Sequence, residues 1–301
     1  MRVAGVDIGT NTVRLLVSDV IGDAIIDVAR RSEVVGLGRH LEETGRIGDA
    51  ALELLDTTLT SFGAVIAETG PHLIRVVATS ASRDAANAEV LSEIVRSVFG
   101  APPHIITGED EAALAFAGAR WGSDAPGPYL VIDPGGGSTE FVFGLEAPEY
   151  ALSIDIGSIR LTDRLLPNRP AATHEVARAR EHVAELFQAV ELPGRPETVI
   201  GVAGTFRSLA AVYLDLGYYD RNMTHGVVLL QEDLDALVDR FASLSVEETE
   251  AIGSLAPQRA PVILAGAIVA SEAVRRSGRD RVTVSKTGIL QGIVLELARS
   301  R

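Results

Sequence analysis

Val131-Ile132-Asp133-Pro134-Gly135-Gly136-Gly137-Ser138-Thr139-Glu140 is the stretch that decides how the chain is read. It predicts a buried strand, a three-glycine turn and a second strand, Phe141-Val142-Phe143. Three glycines let the backbone turn back with positive φ and leave N–H groups uncovered. Such N–H groups form a concavity that suits an anion. An acid stands at each end of the turn. Asp133 and Glu140 repel an anion directly, but they can hold a divalent cation that in turn holds phosphate oxygens. A plain glycine-rich hairpin is the bland alternative. The flanking strand, Asp, Ser-Thr and Glu favour phosphate and metal.

The chain opens on the same design. Residues 2–8 predict a strand, Gly9-Thr10-Asn11-Thr12 a turn and residues 13–20 a second strand, with Asp7 in the place of Asp133. Third strands are expected around residues 24–29 and 150–154. The Gly/Pro-dense segment Gly122-Ser123-Asp124-Ala125-Pro126-Gly127-Pro128 reads as the linker. Two similar α/β domains follow, residues 1–121 and 122–301, related by an ancient duplication and facing a central cleft. Apolar spacing predicts helices over residues 47–68, 88–99, 108–121, 157–166, 174–190, 231–241, 246–252, 260–276 and 288–299. The last helix is amphipathic and could pack back on the first domain. Further strands are expected at residues 73–78, 104–106, 198–201 and 281–284.

Composition narrows the function classes. The 301 residues are 47% hydrophobic but only 5% aromatic, which favours helix-on-sheet packing. Cysteine is absent, so disulfides, zinc-thiolate sites and a catalytic thiol are excluded. No signal-peptide pattern opens the sequence and apolar runs fall short of a membrane span, so a cytoplasmic protein without a membrane partner is expected. The net charge of −14 argues against nucleic acid as the main partner.

Several residues are candidates for chemistry. Gly204-Thr205 follows a predicted strand and opens a helix, whose N-terminus carries partial positive charge. Arg83 follows a strand end and could clamp a phosphate or pair with Asp84. Arg14 lies in an otherwise apolar strand. Glu109, Asp110 and Glu111 cluster at a helix start, where acids suit the dipole, and one of them could position or deprotonate a water. The six histidines are scattered, and a zinc site is not expected. A Walker-type GxxxxGK[ST] is absent and Lys286 is the only lysine, so arginine, backbone N–H groups and metal must grip any phosphate.

Four motifs occur in order: Asp7-Ile8-Gly9-Thr10-Asn11-Thr12-Val13-Arg14-Leu15, Ala78-Thr79-Ser80-Ala81-x-Arg83-Asp84-Ala85-x-Asn87, Gly108-Glu109-Asp110-Glu111-Ala112, and Asp133-x-Gly135-Gly136-Gly137-Ser138-Thr139-Glu140. Together they resemble the exopolyphosphatase / guanosine pentaphosphate phosphohydrolase family. That resemblance implies two ribonuclease-H-like domains of the actin-like, sugar-kinase-like ATPase group. It implies Mg²⁺-dependent hydrolysis of a terminal phosphoanhydride, with inorganic polyphosphate or guanosine pentaphosphate (pppGpp) as substrate. Glu111 then matches the water-activating glutamate, a choice the residues alone leave open. Asp133 and Glu140 match the metal-associated acids, with Asp7 grouped beside them. Arg83 matches a phosphate-contacting arginine. Thr10, Asn11, Thr12 and Arg14, then Gly135, Gly136, Gly137 and Ser138, match the two phosphate loops; Gly204 and Thr205 follow as a weaker match. The stretch Gly288-Ile289-Leu290-Gln291-Gly292 departs from the Gly-Leu-Arg-Glu-Gly of many members. Longer members carry a further helical hydrolase-like domain; this chain reads as the short form, which favours short chains or a nucleotide. Dimers are common in the family. A kinase of the same fold and a non-catalytic sensor of guanosine tetraphosphate or polyphosphate are the rival classes.

Overall fold

A computed structural model describes residues 1–22 and 24–299. The chain forms two compact units, Met1–Gly118 with Ile289–Arg301, and Ala119–Gly288. The division in mid-chain falls at Gly118/Ala119, and the last helix belongs to the first unit.

The first unit contains β1 (Arg2–Ile8), β2 (Thr12–Ile21), β3 (Ala24–Val34), α1 (Leu41–Thr44), α2 (Asp49–Thr69), β4 (Leu73–Ala78), α3 (Ser80–Asp84), α4 (Ala88–Phe99), β5 (His104–Ile105) and most of α5 (Gly108–Trp121). Its sheet runs β3-β2-β1-β4-β5. The hairpin β1–β2 is antiparallel, while β4 joins β1 in parallel. Alternation along the strands sends Ala4, Val6 and Ile8 to one face, where they meet Leu55, Leu59 and Phe62 of α2 and Leu91 of α4. By length and composition α2 could cross a bilayer, but its Leu52, Leu55, Leu59, Phe62 and Ile66 are buried in this core. Val3, Leu16 and Val77 share another cluster with Leu114 of α5 and Ile289, Leu290, Ile293 and Val294 of the final helix. Gly5 makes room for that helix, since a Cβ there would lie 2.9 Å from Ile293 Cγ2. Burial of its apolar stripe against the sheet is what draws the chain's end back into this unit.

The second unit contains β6 (Tyr129–Pro134), β7 (Thr139–Gly144), β8 (Pro148–Ile154), α6 (Ser158–Leu165), α7 (Thr173–Leu186), β9 (Thr198–Gly201), α8 (Ala203–Tyr213), α9 (Arg221–Thr224), β10 (Val228–Leu230), α10 (Gln231–Ser243), α11 (Val246–Glu250), α12 (Ile263–Arg276) and β11 (Arg281–Val284); the final helix is α13 (Ile289–Arg299). Its sheet runs β8-β7-β6-β9-β11-β10. The first five of these repeat the first unit's order and directions, and β10 is an antiparallel addition at the edge. Both sheets are therefore ribonuclease-H-like. α12 is buried on nearly every side from Ile263 to Val274, as its continuous small and apolar sequence requires. The helix expected from residue 260 starts at Ile263 instead: Pro257–Val262 is a 3-10 turn, where Pro261 supplies no N–H for an α-helical bond.

Candidate active site

In the second unit, β6 and β7 place Asp133 and Glu140 as direct cross-strand partners. Directly opposite residues of an antiparallel pair share a face of the sheet. Asp133 is 7% exposed and Glu140 1%. Two like charges so placed repel, and the donor set is all oxygen, which suits a hard divalent cation such as Mg²⁺ that keeps several waters. Glu140 Oε1 accepts a hydrogen bond from Ser153 Oγ at 2.8 Å, which fixes its orientation. No group of three or more His, Cys, Asp or Glu gathers among the described residues. Water and substrate oxygens would have to complete a Mg²⁺ shell.

The turn between these strands is held from behind by α6. Ser158 N–H donates to Gly135 O at 3.0 Å, Ile159 N–H to Gly136 O at 2.9 Å, and Arg160 Nε–H to Gly137 O at 3.0 Å. In a trans peptide the carbonyl and the following N–H point in opposite directions. Fixing three successive carbonyls toward α6 therefore turns the N–H groups of Gly136, Gly137 and Ser138 away from it. That is an anion nest. The expected positive φ does not account for it: none of the three is among the glycines with left-handed backbone. Close approach does, because a Cβ on Gly157 would lie 2.5 Å from Gly136 C and 2.7 Å from Gly135 O.

The first hairpin repeats the design with one change of charge. Gly9 N–H donates to Thr12 O at 3.1 Å, as Gly135 N–H donates to Ser138 O at 2.9 Å. The carbonyl of Asn11 accepts from Val35 and Gly36, and that of Thr10 from Gly38, so the N–H groups of Asn11 and Thr12 turn the other way. Asp7 faces Arg14 where Asp133 faces Glu140. Arg14 Nη2 lies 2.9 Å from Asp7 Oδ2. Burial pushes the Asp7 carboxyl up, and the Arg14 guanidinium pulls it part of the way back. Asp7 is thus ion-paired with Arg14 within the first unit. Asn11 Oδ1 and Arg14 Nε are buried without a hydrogen-bond partner, two unmet polar atoms on one hairpin that suit a ligand.

Thr10 Oγ1 accepts from Ala81 N–H at 3.2 Å, which ties this loop to α3. From α3, Arg83 Nη1 donates to Ile106 O at 2.8 Å and to Glu111 Oε2 at 3.2 Å. The pairing with Asp84 that was the alternative is absent; Asp84 accepts from Ser80 Oγ instead. At the start of α5, Thr107 caps the helix by accepting from Asp110 N–H and donating to the Asp110 carboxylate. Glu109 and Asp110 are exposed, and Glu111 is half-buried against Arg83. Geometry thereby separates the three acids. Asn87 of the second motif is structural: its amide bonds both N–H and C=O of Ile47.

At the C-terminal end of β9, Thr205 Oγ1 donates to Pro134 O at 2.9 Å. Its hydroxyl proton is occupied, which leaves this residue its backbone N–H and an acceptor lone pair for a ligand. Gly204 lies directly under the guanidinium of Arg259, which a Cβ would strike. Arg259 is not among the candidate residues read from the sequence. The only signal for it is its place ahead of Ala265-Gly266-Ala267, because its contact with Gly204 joins segments far apart in the chain.

The description "Ppx/GppA phosphatase family" fits residues 16–301. Exopolyphosphatase 2 of Mycobacterium tuberculosis is 37% identical over 99% of this chain and 98% of its own. Exopolyphosphatase 1 of Mycobacterium bovis is 32% identical over 98% of this chain and 88% of its own. Among solved structures, a Ppx/GppA family member of Aquifex aeolicus superposes with a TM-score of 0.85 at 30% identity, covering 100% of this chain and 99% of that one. An exopolyphosphatase-like protein gives a TM-score of 0.93 at 36% identity, covering 98% and 97%. With the two duplicated sheets, the glycine nest and the Arg83–Glu111 pair on the same chain, it belongs to the Ppx/GppA phosphatase family, a family of hydrolases.

Proposed function

We propose that this chain hydrolyses the terminal phosphoanhydride of inorganic polyphosphate and releases orthophosphate, with Mg²⁺ as cofactor. The observation that carries this reading is the half-buried Glu111 carboxylate held by Arg83 beside the Thr10-Asn11-Thr12 loop. The relatives named exopolyphosphatase support polyphosphate as the substrate.

Glu111 accepts a proton from water as the water oxygen bonds to the terminal phosphorus. The bridging oxygen leaves with the shortened chain. A positioned general base of this kind contributes about 10²–10⁴-fold. Arg83 fixes the carboxylate with one nitrogen, and its remaining N–H groups are available to a phosphate oxygen. The N–H groups of Gly136, Gly137 and Ser138 bind phosphate oxygens without the reorganisation that water would need. Asp133 and Glu140 would hold Mg²⁺, which when bound offsets charge on the equatorial oxygens of a loose transition state.

The test is phosphate release from polyphosphate of defined lengths and from pppGpp, each with and without Mg²⁺. Release from polyphosphate only when Mg²⁺ is present supports the reading. Release confined to pppGpp makes the chain an alarmone phosphohydrolase, and no release from either substrate overturns both activities.

A further inference from the structure

β6, β9 and β11 are parallel neighbours, so their C-terminal ends lie along one edge of the second unit's sheet. The glycine nest follows β6, and Gly204 with Arg259 follows β9. The C-terminal end of β11 carries Lys286, which the mechanism above does not use. Ser285 N–H donates to Gly201 O at 2.8 Å, so this end abuts that of β9. Ligands of parallel α/β sheets collect along such carboxyl ends.

Lys286 is the only lysine of a chain with net charge −14. Two other basic side chains hold its backbone. Arg221 Nη2 donates to Lys286 O at 2.9 Å, and Lys286 N–H donates to His225 Nδ1 at 3.3 Å. Since Nδ1 accepts, the proton of the neutral ring sits on Nε2, which is then a donor. Lys286 Nζ reaches Asn222 Oδ1 at 3.0 Å in an exposed setting. Burial, then Lys286 and Arg221, hold the His225 ring below its ordinary pKa, against the opposing pull of Asp124. Asp124 is the acid that faces the cluster. Asp220 is engaged in capping Asn222 N–H.

We propose that Lys286, Arg221 and His225 form a subsite for a phosphate group farther along the polyphosphate chain, at the C-terminal end of β11. The inference rests on the polyphosphate reading above. Two strand spacings separate β11 from β6, about 9–10 Å. That distance is beyond a substrate's terminal phosphates and within reach of a longer chain. The choice of side chain fits the task. With one Arg221 nitrogen committed to the Lys286 carbonyl, the ammonium on its flexible stem is the member of the subsite that follows an oxyanion that shifts. A chain shortened at its end must advance after each cleavage, and a lysine at the distal point holds it without locking its register.

The experiment compares kcat/KM for long-chain polyphosphate with that for tripolyphosphate, in the wild type, Lys286→Met and Arg281→Gln. The last removes a charge from the opposite end of β11, where Arg281 pairs with exposed Asp280. The long-chain advantage should fall about three- to fivefold in Lys286→Met, the size of one exposed charge contact, through KM, and the fall should shrink at high salt. Arg281→Gln should keep the wild-type ratio. An unchanged ratio in Lys286→Met, or an equal fall in Arg281→Gln, overturns the subsite. A loss with pppGpp that is absent with long-chain polyphosphate overturns polyphosphate as its occupant. Wild type inactive on both polyphosphates is a distinct result: the functional reading then fails first, and the subsite with it.

Discussion

Arg83 Nη1 lies 3.2 Å from Glu111 Oε2 while donating to the carbonyl of Ile106 at 2.8 Å. One nitrogen thus joins the end of the β4–α3 segment to the start of α5. The arginine positions the carboxylate and keeps its other donors for a ligand. Lysine has three donors at one point, so an ammonium bound to Ile106 O and Glu111 presents at most one N–H, and no planar fork, to a ligand. Arg83→Lys should therefore lower kcat/KM for polyphosphate by about tenfold or more, the scale of a lost charge-assisted contact. Steady-state phosphate release measures it, and a value equal to wild type would remove Arg83 from the site.

Asp7 gives a pH-dependent signature in stability. Its folded-state pKa is raised above the ordinary 3.8, so the folded protein holds a proton that the unfolded chain releases. Stability from this group is fully present below the unfolded value and is lost as pH rises toward the folded one. Relative to Asp7→Asn, the wild type should lose stability as pH climbs from about 4. Urea melts across that range check the sign; a wild type that gains on the variant would show the Arg14 pairing to dominate burial. Arg14→Met, which leaves a buried acid without its cation, should cost about 3–5 kcal/mol.

Glu140→Gln should move stability and activity in opposite directions. Relief of repulsion from Asp133 is worth about 0.2–1 kcal/mol in the metal-free protein. The amide retains an oxygen for Ser153 Oγ but loses the charge that suits a divalent cation. Phosphate release should then need a higher Mg²⁺ concentration. Equal Mg²⁺ dependence in variant and wild type would separate Glu140 from metal binding.

Two glycine-to-alanine changes should differ in kind. At Gly157 the new methyl meets backbone of the nest at 2.5 Å, which cannot yield without moving the turn. About 1–3 kcal/mol of stability should be lost, together with phosphate affinity. At Gly204 the obstacle is the far end of Arg259, a flexible side chain. That variant should melt near wild type and bind phosphate more weakly. Thermal melts and phosphate titration of both proteins distinguish the cases.

Which features the sequence reveals follows from range. β1, β2, β6 and β7 are legible because each is an apolar run ending on a glycine turn, and local pattern suffices. β10 escapes because three residues carry no period, and α3 because Ser80 to Asp84 is one short turn of small and polar residues. The choice of Glu111 over Glu109 depends on Arg83, 28 residues away, so no local rule supplies it. Arg259 depends on Gly204 across a longer interval still. The nest is legible in its glycines but not in its cause, which is the approach of Gly157 and the N-terminal turn of α6.

The most direct measurement is phosphate release by Glu111→Gln, alongside its binding of the same polyphosphate. The amide is nearly isosteric and can still accept from Arg83, but it cannot take a proton from water. Turnover should drop by about two orders of magnitude or more with binding nearly intact. Turnover equal to the wild type would contradict a catalytic role for Glu111.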